Sequence, residues 1–294
     1  VKLNLDHPLV LDGGLSNVLT DAGHDLSGRL WSAGLLLDEP EAIAAAHLAY
    51  FRAGARVAIT ASYQVTYEGF AAHGVDSDQT TLALRRSIEL ARQAAEQAEV
   101  DHPLWIAGSV GPYGAMLADG SEYRGRYGLS VEQLVRFHRP RIEVLAEAGA
   151  DVLAVETIPD VDEAEAVVRV LDEIGVPAWL SYSVSGPATR SGQPLDLAFA
   201  LAAESDAVIA AGVNCCAVDD AGPAVRVAAS VTGKPVVVYP NNGQAWDAAA
   251  RKWTGEPTFD PGRTNDWIAD GARLVGGCCQ VGPDQIGALA AMIG

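Results

Sequence analysis

Glu147-Ala148-Gly149-Ala150-Asp151-Val152-Leu153-Ala154-Val155-Glu156 carries the end of a helix, a glycine, and an apolar strand that stops on a carboxylate. Glycine just past a helical segment supplies the left-handed cap that ends it. The apolar run after it has the length and β-branched content of a buried strand. The same passage recurs in Arg52-Ala53-Gly54-Ala55-Arg56-Val57 and in Ala269-Asp270-Gly271-Ala272-Arg273-Leu274. Outward from these, apolar stretches fall at residues 9–11, 57–60, 104–110, 152–156, 178–184, 207–214, 235–239 and 274–277, which gives eight candidate strands.

Amphipathic helical segments separate them. Asp38-Glu39-Pro40 opens one, and Ile43, Ala46, His47, Tyr50 and Phe51 follow on one face. Ser130 with Gln133, and Asp160 with Glu163, have the spacing of capping boxes. Leu134, Val135, His138, Ile142 and Leu145 line the helix after the first; Ala164, Val167, Val168, Leu171 and Ile174 line the helix after the second. Strands alternating with helices, without a shift in composition, predict a parallel sheet, and eight units predict a single-domain (β/α)8 TIM barrel over residues 1–294. An open doubly wound sheet is the alternative, but Asp12-Gly13-Gly14-Leu15-Ser16 stands where that fold carries its G-x-G-x-x-G fingerprint. The long connections, residues 13–37, 111–129 and 240–262, all follow strands, where a barrel builds its active site.

Composition narrows the function. With 49% hydrophobic residues the chain can bury a large core. Twenty basic against 38 acidic residues, 20 − 38 = −18, argue against a nucleic-acid partner, which needs a clustered basic face. No uninterrupted apolar run is long enough to span a bilayer, and the opening Val1-Lys2-Leu3-Asn4-Leu5-Asp6 lacks a signal peptide's apolar segment. A soluble cytoplasmic protein with no membrane partner is expected.

The four cysteines form two adjacent pairs, Cys215-Cys216 and Cys278-Cys279, unlike the dispersed cysteines of a disulfide scaffold. Each pair sits where a strand ends. A barrel would bring Asp12, Ser62-Tyr63-Gln64, Gly108-Ser109-Val110-Gly111, Glu156-Thr157, Asn214-Cys215, Tyr239-Pro240-Asn241 and Cys278-Cys279 to one mouth. Three thiolates on one Zn2+ leave a fourth position for water or substrate, and sulfur-rich ligation favours zinc over harder metals. Cys215, Cys278 and Cys279 are the expected ligands, with Gly276-Gly277 easing the bend that lets neighbours both ligate. Cys216 is the surplus thiol, expected to point away and pack as a small apolar group. The six histidines show no ligand spacing; His47 and His138 lie on apolar helical faces and read as satisfied core residues.

Asp12-Gly13-Gly14, Gly212-Val213-Asn214-Cys215 and Gly276-Gly277-Cys278-Cys279 resemble the three signatures of the zinc-dependent homocysteine S-methyltransferases, a family that includes betaine-homocysteine methyltransferase and the homocysteine module of methionine synthase. Leu30-Trp31-Ser32-Ala33, Ala61-Ser62-Tyr63-Gln64, Gly108-Ser109-Val110-Gly111-Pro112-Tyr113-Gly114, Gly120-Ser121-Glu122-Tyr123-Arg124-Gly125 and Val238-Tyr239-Pro240-Asn241 look closer still to its S-methylmethionine-using branch. The resemblance covers nearly the whole chain. It implies a zinc barrel that accepts L-homocysteine, with Asp12 and Glu156 matching the family's positions for the amino group. Gly13 and Gly14 are expected to meet the substrate carboxylate through their amides, and Tyr63 and Asn214 complete the acceptor set. Glu156-Thr157 stands where the betaine-using relatives have tyrosine after the glutamate.

The reaction so implied is attack of a metal-activated homocysteine thiolate on the methyl of a sulfonium donor, S-methylmethionine or S-adenosylmethionine, giving methionine. A sulfonium attracts aromatic faces and carboxylates. Trp31, Tyr113, Glu122 and Tyr127, in or beside the loops that follow strands, are the donor candidates. Three other readings share these residues: a methyltransferase component fed by a corrinoid partner, a non-catalytic zinc or thiol store, and, less well matched to thiolate ligands, a zinc hydrolase. Oligomeric state is not legible in the sequence.

Overall fold

The passage from helix to strand does what its glycines predict. Gly54, Gly149 and Gly271 take φ of 107°, 88° and 114°, and each is followed within three residues by a barrel strand. A computed structural model describes residues 3–26, 28, 30, 32–247 and 252–294. Within them run eight parallel strands: β1 (Leu9–Val10), β2 (Val57–Ile59), β3 (Trp105–Val110), β4 (Val152–Ile158), β5 (Ala178–Tyr182), β6 (Val208–Asn214), β7 (Val236–Tyr239) and β8 (Ala272–Val275). Each pairs with its neighbour in sequence, β8 pairs with β1, and a bridge from Leu11 to Val57 joins β1 to β2. The sheet closes on itself, which leaves no edge to protect.

Alternation along the strands sorts side chains into two layers. Leu9, Leu11, Val57, Trp105, Ala107, Val152, Ala154, Trp179, Ala210, Val237, Tyr239 and Leu274 fill the barrel interior. The opposite faces pack against the helices, where the larger apolar cluster lies. The inward parity of β3, β4, β5 and β6 continues to Ser109, Glu156, Ser181 and Asn214, so polar side chains crown an apolar barrel. Trp179 and Tyr239 form the floor beneath them, the indole N–H donating to the Tyr239 hydroxyl at 3.0 Å.

Several local expectations are revised. Ser130 and Gln133 form the expected capping box, but Asp160 caps only Asp162 N–H, at 3.0 Å. Glu163 instead turns inward, fully buried, to accept from the Tyr113 amide at 2.5 Å and from His138 Nε2 at 2.9 Å. His138 is therefore satisfied; its Nδ1 accepts from buried Arg141 at 2.7 Å, which fixes the tautomer. His47 is buried without a hydrogen-bond partner among the described residues, and burial lowers its pKa to about 4, so it sits in the core as a neutral ring. β4 runs two residues beyond the expected Glu156, through a register shift between Val155 and Ile158.

Candidate metal centre and active site

Cys215, Cys278 and Cys279 meet at the mouth, their Sγ atoms all within 4.8 Å of one another. Cys215, the residue just after β6, has a φ of 49°, a left-handed turn rare outside glycine. That turn sends the next residue the other way. Cys216 is fully buried in the apolar layer between strands and helices, where burial pushes its thiol well above the ordinary range. The Cys215 and Cys279 sulfurs are 3.7 Å apart, close to the ~3.8 Å edge of a tetrahedron with metal–sulfur bonds of about 2.3 Å. The donor set and its spacing fit a tetrahedral metal ion with one position left open. Hydrogen bonds from Cys278 and Cys279 hold the Cys215 thiol well below its usual range, and bonding to Cys215 pushes the other two up.

Gly276 and Gly277 serve this turn differently from expectation. Neither takes a positive φ; the left-handed residues are Cys215 and Gln280. Crowding explains both glycines. A Cβ on Gly276 would lie 2.7 Å from Leu11 Cβ, and one on Gly277 would lie 2.2 Å from Val281 Cγ1. Gly13 and Gly14 are crowded from the other side, a Cβ there meeting Val281 O at 2.2 Å and Cys278 O at 2.8 Å. The Gly14 amide donates to Val281 O at 2.9 Å, and the Tyr50 hydroxyl bonds both Gly14 O and Val281 O. The Gly14 N–H is thus engaged within the protein. The Asp12-Gly13-Gly14 segment and the cysteine turn are laced to each other at the seam between β8 and β1.

Asp12 and Glu156 face this mouth from β1 and β4. Asp12 is buried; its Oδ2 accepts from Ile59 N–H at 2.9 Å, while Oδ1 has no partner among the described residues. Burial raises its pKa well above the carboxylate range, and repulsion from Glu156 adds to this. Glu156 accepts from Ser109 Oγ at 2.5 Å and from Asn214 Nδ2 at 3.5 Å, and burial pushes it up to about 7. Two buried carboxyls that repel each other form a socket for one cation. Asn214 is the keystone: its Oδ1 accepts from Thr157 N–H and from Ser181 Oγ, both at 2.7 Å, and its Nδ2 donates to Thr157 Oγ1 at 2.8 Å.

Tyr63 lies within electrostatic reach of Glu122, Cys215 and Glu156, and its hydroxyl pairs with Thr157. Gly111 makes room for its ring, since a Cβ there would lie 2.6 Å from Tyr63 Cδ2. The donor candidates separate. Glu122 is buried close to Cys215, with Oε2 unpartnered among the described residues and its pKa pushed by burial up to about 7. Tyr113 and Tyr127 instead pack together, ring centres 5.1 Å apart, with Phe137 4.8 Å from Tyr113. Trp31 lies outside the described residues. Two residues that sequence reasoning passed over also stand here. Tyr123, though 38% exposed, reaches in to place its hydroxyl 3.0 Å from Cys215 Sγ, and the Arg190 guanidinium stacks 5.5 Å from the centre of its ring. Tyr123 was visible inside the quoted Gly120–Gly125 motif; Arg190 had no local signal. Among the described residues no helix is long and apolar enough to cross a membrane.

Comparison with known proteins identifies the family and the fold. The family described as homocysteine S-methyltransferase matches residues 9–293. Homocysteine S-methyltransferase of Escherichia coli strain K12 is 46% identical over 292 residues, spanning 96% of this chain and 94% of that protein. Homocysteine S-methyltransferase YbgG of Bacillus subtilis strain 168 is 42% identical, over 96% of this chain and 93% of its own. The crystal structure of the metallated form of the E. coli homocysteine methyltransferase MmuM superposes with a TM-score of 0.88 at 43% identity, covering 98% of this chain and 96% of that one. The crown of carboxylates and thiols described above is set on a shared barrel, and the chain belongs to the homocysteine S-methyltransferase family.

Proposed function

We propose that the protein transfers a methyl group from a sulfonium donor, S-methylmethionine foremost and S-adenosylmethionine as the second candidate, to the sulfur of L-homocysteine, with zinc as the metal. The observation that carries the reading is the convergence of three thiols beside two buried carboxyls that lack a cation. Zinc held by three thiolates would supply an open position at which a fourth thiol loses its proton near neutral pH.

The chain's own residues do the positioning. Asp12 and Glu156 take the homocysteine ammonium between them. Ser109 and Asn214 fix the Glu156 carboxylate, and Tyr239 and Trp179 close the floor against water. The homocysteine thiolate forms a bond to the methyl carbon while the donor's methyl–sulfur bond breaks, its electron pair staying on the leaving sulfur, which becomes a neutral thioether. With S-methylmethionine both products are methionine, and the thiol proton passes to solvent. Positive and negative charge disappear together, so a dry, aligned site favours the step.

The test is methionine formation from homocysteine with S-methylmethionine, S-adenosylmethionine or betaine, on reduced protein with its metal counted. Turnover with a sulfonium that stops on chelation and returns with zinc is the expected result. Stoichiometric zinc without turnover on any of the three would overturn the reading.

A further inference from the structure

The mouth holds more charge than homocysteine can answer. Its ammonium satisfies the Asp12–Glu156 socket at the β1–β4 side, which leaves Glu122, buried on the turn Ser121–Tyr123 within electrostatic reach of Cys215, with an unpartnered oxygen among the described residues. The next residue, Tyr123, touches Cys215 Sγ through its hydroxyl, so this turn is a wall of the thiol site itself.

Across the Tyr123 ring stands Arg190. Its Nε donates to Ser183 Oγ at 3.3 Å, and Ser183 in turn donates to Cys215 O at 3.2 Å. Its guanidinium carbon lies 5.5 Å from the Tyr123 ring centre. The cation lies over the aromatic ring, and Ser183 takes the Nε edge. A planar cation immobilised this way loses little entropy on gripping a carboxylate with its remaining N–H groups.

Resting on the methyl-transfer reading above, we propose that Glu122 and Arg190 frame the donor half of the site, Glu122 facing the sulfonium and Arg190 binding the donor's carboxylate. The protein is thereby matched to sulfoniums that are themselves amino acids, and Tyr123 between the two charged residues sets the spacing.

The experiment compares S-methylmethionine with its carboxamide, in which only the carboxylate charge is removed, using the zinc-loaded protein and its Arg190→Gln, Arg190→Lys and Glu122→Gln variants. The unsubstituted enzyme should prefer the acid over the amide by ~10- to 100-fold in kcat/KM, the loss expected for one charge-assisted contact. Arg190→Gln should bring that ratio close to one through the donor KM, with homocysteine KM and zinc content unchanged, and Arg190→Lys should restore part of it. Glu122→Gln should lower kcat/KM for acid and amide alike. No preference in the unsubstituted enzyme, or a preference that survives Arg190→Gln, overturns the assignment of Arg190. An unchanged Glu122→Gln enzyme overturns that of Glu122. No methyl transfer from either sulfonium by the unsubstituted protein overturns the underlying reading as well.

Discussion

The Asn214 side chain brackets Thr157, accepting its backbone N–H at 2.7 Å and donating to its hydroxyl at 2.8 Å. Thr157 needs the grip. Its φ of 60° is a conformation that a β-branched residue adopts at a cost of about 1–3 kcal/mol, and it sits at the register shift that aims Glu156 into the mouth. Asn214→Ala removes the acceptor from a buried N–H and should lower stability by about 2 kcal/mol. It should also raise homocysteine KM, because Glu156 loses a neighbour. Adding Thr157→Gly, which relieves the backbone, should recover part of the stability. Denaturant midpoints of the single and double variants check this; equal midpoints for Asn214→Ala and the parent would show that the bracket carries no strain.

Metal content separates the four thiols. Alanine at Cys215, Cys278 or Cys279 should each abolish stoichiometric metal, since two sulfurs remain where three converge. Cys216→Ala should keep its metal and lose only about 1 kcal/mol of packing. Metal per chain, measured after dialysis, decides; retention by Cys215→Ala with loss in Cys216→Ala would reverse the assignment of the pair.

Acidity supplies an independent reading of Glu156. Its carboxyl titrates near 7 in the folded chain against 4.5 as a free side chain, because burial penalises the charge. Below 4.5 it is protonated in both states and imposes no penalty; between 4.5 and 7 the unfolded chain ionises it while the folded one keeps the proton, and stability is lost across that interval, complete above 7. Glu156→Gln, free of ligand, should therefore match the parent near pH 4.5 and exceed it at pH 8, by on the order of 3 kcal/mol. The same variant should bind homocysteine far more weakly. Urea midpoints at the two pH values test the sign, and a gap that widens toward acid would contradict it.

Steric crowding at the cysteine turn can be probed with a single methyl group. Gly277→Ala places a Cβ 2.3 Å from Val281 Cβ, an atom that cannot swing aside, so the turn bearing Cys278 and Cys279 must move and metal affinity should fall at least tenfold. Gly282→Ala, whose nearest neighbour is Gln285 Oε1 at 3.4 Å, should be tolerated. A competition titration against a chromogenic chelator measures both.

The barrel was legible because its rules are local. Glycine after a helix and an apolar run of strand length mark where each strand ends and so bring Ser109, Glu156 and Asn214 to one mouth; that these three point inward is visible only in the alternation of the folded strands. The thiol triad was legible for the same reason, each cysteine pair falling at the end of a strand. What escaped depends on contacts across the mouth. Arg190 acts on Tyr123 through a ring face presented by another loop. The spacing of Asp160 and Glu163 suits a helix cap, yet Glu163 serves His138 and Tyr113 from inside the structure. The positive φ belongs to Cys215 rather than to Gly276 or Gly277, because the glycines answer crowding by Leu11 and Val281 that is set by barrel closure.

The seam between β8 and β1 joins the Asp12-Gly13-Gly14 segment to the cysteine turn through Gly14, Tyr50 and Val281. During synthesis these two halves of the site emerge at opposite ends of a long interval. A growing chain that has released Cys215 offers one of the three converging sulfurs, and the other two arrive only with the turn that follows the final strand. A chain truncated before Cys278 would carry one of the three converging thiols and should hold no stoichiometric metal.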